Sequence, residues 1–232
     1  DSRMSGSPPT EIEMTSTTFP GDPSPVQEFL RITEMMYHPS NPTTAEIAQG
    51  FTNDNAFEYV ELQNTSTTET LDLAGVRFTA GIAFDFTGSA VTSLLPGGRV
   101  LVVRDPGGFA ARYGMGPGPI AGVFAGSLDN SGERIKIDDA SNGTVLEFEY
   151  NDAWHPLTDG PGFSMVARDA LQDRSLWGER EGWMPSYAML GSPGVSEPST
   201  APLPGAVAIN EIMNYGTGVD GDRIELRNTT SA

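Results

Sequence analysis

The sequence predicts an all-β protein built as a sandwich of two antiparallel sheets. Short runs of alternating apolar and polar residues recur along the chain, about seven to nine of them, with turn residues between them at regular spacing. The composition is turn-rich, with 27 Gly and 18 Pro in 232 residues, which favours short strands over long helices. One pattern also occurs twice. Phe57–Thr79 (FEYVELQNTSTTETLDLAGVRFT) returns in part as Asp222–Thr230 (DRIELRNTT). Each copy follows a strand-like run with an internal Glu, Arg31–Tyr37 before the first and Ala208–Met213 before the second. Such a repeat marks two copies of one module.

Taken in order, Phe29–Tyr37 alternates, with Ile32, Glu34 and Met36 on one face and Thr33, Met35 and Tyr37 on the other. His38-Pro39 ends it, because Pro lacks a ladder donor. Thr44–Gln49 reads as one helical turn capped by Thr43 or Thr44. Asn53-Asp54-Asn55 is a turn before the strand Phe57–Gln63. Leu71–Phe78 reads as a third strand, and Phe84-Asp85-Phe86 alternates again. Arg99–Arg104 (RVLVVR) is apolar on both faces and should lie centrally. Phe109–Tyr113 reads as a short helix and Ala121–Phe124 as a strand. Glu133–Asp138 and Thr144–Tyr150 form a hairpin closed by Asn142-Gly143. Ile135, Ile137, Leu146, Phe148 and Tyr150 point inward, while Arg134, Lys136, Glu147 and Glu149 point out. Each large inward side chain contributes roughly 1.5–3 kcal/mol on burial.

Asn151–Gly194 loses the alternation and holds all three Trp, at 154, 177 and 183. Apart from a candidate strand at Phe163–Val166, it should wrap the sandwich with its rings on apolar surface. The expected organisation is a Ser/Thr/Pro-rich linker over 1–27, a module over 28–195, a linker over 196–206, and the opening of a second module over 207–232. Asp1 reads as the start of a processed chain or an excised piece, and the second copy as broken off by the chain end.

The formal net charge is −18. That opposes binding to nucleic acid or anionic lipid and can attract divalent cations. There is no Cys, so a packed core rather than disulfides must hold the fold. No run is long and apolar enough to span a membrane.

Five places together resemble a bacterial lamin-tail domain: Ile32-Thr33-Glu34-Met35; Glu58 through Asn64 (EYVELQN); Leu71 through Val76 (LDLAGV); Leu95 through Val103 (LPGGRVLVV); and Gly132 through Ile135 (GERI). Val76 stands where the family commonly has an aromatic. Trp154, Asp159-Gly160, Gly162, Ser164, Trp183, Ser186 and Gly191-Ser192-Pro193-Gly194 resemble a C-terminal extension of bacterial members. The resemblance implies an immunoglobulin-like β-sandwich with a Trp-rich C-terminal extension and no catalytic residues. It also implies a place in a large modular secreted or cell-surface protein. The partners implied are other domains of the same long chain or cell-surface components. The alternatives are a calcium- or carbohydrate-binding module and an accessory domain of a secreted hydrolase.

Four residues are candidate metal ligands, Asn53, Asp54, Asn55 and Glu58, with Asp220, Gly221 and Asp222 at a similar place in the second copy. Oxygen donors in a turn suit Ca²⁺, but Asx residues also make turns by bonding their own backbone. Asp138–Gly143 has Ala140 where a calcium loop needs a ligand. Trp154 and Trp183, with Trp177 and Tyr187, form a candidate sugar-stacking platform or, alternatively, the packing of the wrap. Glu34 and Glu61 recur as Glu211 and Glu225. They read as an acid–base pair or as carboxylates bonded to backbone and Arg. Two His without Cys make a poor zinc site. Neither a G-x-S-x-G elbow nor a phosphate loop is present. Asn64, Asn142 and Asn228 lie in glycosylation sequons. The expectation is a protein without enzymatic activity or obligatory cofactor.

Overall fold

The computed structural model describes residues 21–198, 207–213 and 223–229. Within them the chain is mostly strand, in several sheets, with three short helices. The first twenty residues of the expected linker, most of the second linker, and the second-copy turn at 220–222 lie outside the described residues.

Helix α1 (Pro25–Phe29) begins inside the stretch expected to be linker. Ser24 and Gln27 cap it reciprocally, and Pro25 sits where a missing N–H costs nothing. Its Val26 is buried. Strand β1 (Leu30–Met36) follows directly. Helix α2 (Thr44–Ala48) carries a second capping box, with Thr43 and Glu46. Next come β2 (Tyr59–Asn64), β3 (Leu71–Asp72), β4 (Arg77–Ala80), β5 (Phe84–Asp85), β6 (Ser93–Leu94) and β7 (Arg99–Val103). Helix α3 (Pro106–Tyr113), N-capped by Asp105, leads to β8 (Ile120–Val123). The chain continues through β9 (Arg134–Asp138), β10 (Thr144–Glu149), β11 (Met165–Ala167) and β12 (Trp183–Pro185). A separate pair, β13 (Val207–Met213) and β14 (Arg223–Asn228), closes the described residues.

A six-stranded sheet runs β12-β11-β1-β2-β7-β8, and a four-stranded sheet runs β10-β9-β4-β5. Ile32, Met35, Val60, Leu62, Val100 and Val102 from the first share one apolar cluster with Phe78, Ile135, Ile137, Leu146 and Phe148 from the second. The other face of the six-stranded sheet is covered in part by α3. There Met36, Tyr59, Leu101 and Val103 meet Phe109. The expectation for RVLVVR holds in part: β7 is apolar on both faces and lies inside the sheet, but next to its edge strand β8 rather than at its centre.

Three readings are corrected. Leu71–Phe78 is not one strand. Gly75, at φ +76°, turns the chain, so Leu71–Asp72 pairs with β6 and Arg77–Ala80 pairs with β5 and β9. The pairing is not wholly antiparallel. β7 and β8 run parallel, and α3 supplies the crossover that a parallel pair needs. Third, β1 does not alternate throughout. Its register against β2 slips between Ile32 and Glu34, leaving Thr33 as the extra residue of a bulge. Ile32 and Met35 therefore face the shared core together, and Glu34 and Met36 face away from it.

The segment expected to wrap the module in fact adds strands to the main sheet, since β11 pairs with β1 and β12 with β11. The Trp177 indole donates to the Ile32 carbonyl (3.0 Å), and the Trp183 indole donates to the Trp177 carbonyl (2.8 Å).

Candidate functional site

The bulge at Thr33 sets Glu34 directly opposite Glu61. Two carboxylates facing each other across a ladder repel, and both of these are shut away from water. Each is compensated by donors. Glu34 Oε1 accepts from the Tyr59 hydroxyl (2.7 Å), the Ser164 hydroxyl (2.5 Å) and the Ser192 backbone N–H (2.7 Å). Glu61 accepts from the Thr33 hydroxyl (2.6 Å), the Arg99 guanidinium and the Gly194 N–H (2.6 Å). Of the alternatives read for this pair, the geometry matches bonding to backbone and Arg.

The Gly191-Ser192-Pro193-Gly194 motif thereby has a local explanation. Gly191, at φ +82°, lies so close that a Cβ would stand 2.2 Å from the Tyr59 hydroxyl and 2.6 Å from Glu34 Oε1. Gly194, at φ +81°, would place a Cβ 1.8 Å from the Pro117 carbonyl. Only glycine brings the Ser192 and Gly194 amides onto the two carboxyl groups. Arg99 also donates to Ser196 Oγ (3.1 Å), and Glu197 accepts from Ser192 Oγ and from the Tyr187 N–H (3.0 Å).

Burial, then the Glu61 charge, pushes the Glu34 carboxyl up to about 7, against the opposing pull of its three donors. Near neutral pH the Glu34 carboxyl therefore carries a proton part of the time. A protonated Glu34 Oε2 can donate to Ser192 Oγ at 3.3 Å, while that hydroxyl donates to Glu197 at 2.5 Å. Above this floor lies a cleft of about 530 Å³. Arg99, Gln63, Met184, Tyr187 and Val195 are among the residues that line it. Tyr187 is 80 % exposed.

The chain matches no protein-family model, no curated protein and no solved structure.

The expected metal ligands are placed differently from one another. Asn53 Oδ1 accepts from the Asn55 N–H (2.8 Å) and caps a short 3₁₀ turn. Asp54 lies 3.7 Å from His38 Nε2, and His38 Nδ1 meets Asp159 at 2.6 Å. Glu58 is fully buried, with Oε2 accepting from the Leu128 N–H (2.9 Å) and Oε1 without a partner. Burial pushes its carboxyl up to about 8. Among the described residues no group of three or more His, Cys, Asp or Glu is placed to hold a metal ion.

The stacking platform is corrected at Trp183, which is fully buried and packs 5.5 Å from Phe148, so its ring has no free face. Trp154 is half-buried against the same core. Of that aromatic group Tyr187 is the exposed member, and it borders the cleft. The Asn64 sequon is sealed. Its amide donates to the carbonyls of Glu69 (2.7 Å) and Leu94 (2.9 Å) inside the fold. The donors at Ser164, Ser192 and Gly194 escaped the sequence reading because they lie more than a hundred residues from the carboxylates. The usable signal was the GSPG motif, whose glycines mark a close backbone approach.

Proposed function

We propose that residues 28–195 are a non-enzymatic module of the lamin-tail kind, an immunoglobulin-like sandwich. It serves as a structural or interaction unit of a modular secreted or cell-surface protein. One observation carries the reading. The β1–β2 hairpin recurs as β13–β14 residue for residue: Leu30↔Asn64 corresponds to Val207↔Asn228, Ile32↔Leu62 to Ile209↔Leu226, Glu34↔Glu61 to Glu211↔Glu225, and Met36↔Tyr59 to Met213↔Arg223. The register slips at the same point, with Asn210 in the place of Thr33. Even the side-chain bond is kept: Thr33 Oγ1 meets Glu61 Oε1 at 2.6 Å, and Asn210 Nδ2 meets Glu225 Oε1 at 2.6 Å. Recurrence of the same register slip and side-chain bond supports a repeated building unit. The carboxylates spend their oxygens on internal donors, which favours a structural role over acid–base chemistry.

The test is thermal unfolding of the full chain in EDTA and in millimolar Ca²⁺. The expected result is one cooperative transition from the main domain, at the same temperature in both. A gain of several degrees with Ca²⁺ overturns the reading in favour of a cation-binding module.

A further inference from the structure

The loop 127–132 lies between β8 and β9. Its Ser127, Asp129 and Ser131 are exposed, while Leu128 is buried in the shared apolar cluster. Three hydrogen bonds pin it to the body of the fold. The Leu128 N–H donates to Glu58 Oε2 (2.9 Å), the Asp129 N–H donates to Glu133 Oε1 (2.9 Å), and the Tyr150 hydroxyl donates to the Asp129 carbonyl (2.7 Å). Glu58 itself is anchored through its backbone. Its N–H donates to the Asn55 carbonyl (3.2 Å), and its carbonyl accepts from the Arg104 N–H (3.0 Å). The loop is therefore the side of the Glu58–Leu128 contact that can give way. Glu58 is fully buried, and among the described residues its Oε1 is the one buried side-chain oxygen or nitrogen without a hydrogen-bond partner. A neutral carboxyl tolerates that position far better than an ionised one. The groups around it do little for a charge. Asp54 before β2 and Glu133 at the head of β9 have the same sign, and only Arg104 after β7 opposes them. Burial keeps the Tyr150 hydroxyl, after β10, protonated and neutral.

We propose that Glu58 is a proton-operated latch that holds the loop 127–132 closed. With its proton, the carboxyl stays inside the fold and keeps the Leu128 N–H. Without it, the charge reaches water only when Leu128 lets go and the loop lifts, which uncovers the Leu128 side chain and the Tyr150 hydroxyl. The step is a simple acid dissociation. One O–H bond of the carboxyl breaks, and the proton passes to water. The direction follows from linkage. Closed, the carboxyl is pushed up to about 8; open, it returns to the ordinary 4.5. The proton is bound more tightly in the closed form, so closure is fully favoured below 4.5 and loses ground as pH rises to about 8. Above both values the balance no longer changes.

The experiment is amide hydrogen exchange at Leu128 in the full 232-residue chain, from about pH 5 to about pH 9. Each rate is divided by that of an unprotected amide at the same pH, which leaves the opening constant. That constant should rise about ten-fold per pH unit up to about pH 8 and then level off, as the loss of one proton requires. The amides of β2 and β7 should not follow it, because the opening is local. In Glu58→Gln, which keeps an acceptor for Leu128, the profile should be flat. In Glu34→Gln, which removes the other raised carboxyl, the Leu128 profile should be unchanged. A flat profile in the native chain overturns the proposal, as does a slope that survives in Glu58→Gln. Should Glu58→Gln fail to fold, Glu34→Gln decides: a slope lost there assigns the response to Glu34 and overturns the latch. Strand amides of β2 and β7 that share the Leu128 opening constant show global unfolding and also overturn it.

Discussion

Glu34 and Glu61 stand opposite each other across the β1–β2 ladder, each at 1 % exposure or less, and both accept a backbone N–H from the same four-residue motif. The pair thus works as a clasp: two charges that would repel if left alone are held together by the segment they fasten. Removing either carboxyl orphans several buried donors, which costs more than the bonds themselves contribute.

Replacing Glu34 by Ala leaves the Tyr59 and Ser164 hydroxyls and the Ser192 N–H unanswered. Urea unfolding should show a loss on the order of 3 kcal/mol. Glu34→Gln keeps an acceptor and removes the like charge, so its loss should be clearly smaller. Equal losses would show that the charge, not the acceptor, holds the segment.

Stability should depend on pH in two directions. Glu34 rises from 4.5 to about 7 and Glu58 from 4.5 to about 8, burial being the main cause for both. Each binds its proton more tightly folded than unfolded. Their contribution is full below pH 4.5 and is lost as pH rises through those folded values. Glu46 is the reverse. Hydrogen bonds from Arg112 hold it down to about 2, so its contribution is full above 4.5 and is lost as pH falls toward 2. These groups together place the optimum in mildly acidic solution. Urea midpoints should fall from there to above pH 8, and Glu58→Gln should flatten the upper part of that decline.

Arg112 clamps α2 to α3. Its guanidinium meets both oxygens of Glu46 at 2.8 Å, donates to the Ser40 carbonyl (2.7 Å), and lies 3.3 Å over the Phe57 ring. Arg112→Ala should cost about 3 kcal/mol, since it strands a largely buried carboxylate. Arg112→Lys should recover little, because an ammonium cannot fork across a carboxylate while stacking on a ring.

Trp183→Ala should cost about 3–5 kcal/mol by opening a cavity against Phe148. Tyr187→Ala should stay within about 0.5 kcal/mol. Near-wild-type stability for Trp183→Ala would remove the packing role from this ring.

Much of the scaffold was readable because periodicity reports burial on one face. Ile135–Ile137 and Leu146–Phe148 alternate and lie in the core as read. The sheet switch at Gly75 was hidden inside a continuous strand-like run, since alternation does not say which sheet a strand joins. The bulge at Thr33 was hidden for a related reason: one inserted residue flips every side chain beyond it, and a single strand carries no record of its partner. The glutamates were found, but not their donors, because hydrogen bonds spanning more than a hundred residues leave no local pattern. Platform and packing both stood open for Trp183 because an aromatic residue looks alike in a sequence whether it faces a ligand or a core.

The clasp also has a mechanical side. Tension arriving at residue 198 reaches the sheet through the contacts of Ser192, Gly194 and Ser196 with Glu34, Glu61 and Arg99. Tension arriving at residue 30 meets β1, which is flanked by β2 and β11 and must shear both at once. The two ends of this unit therefore yield at unequal loads. The tail peels first and pays out slack while the twelve-strand body stays closed.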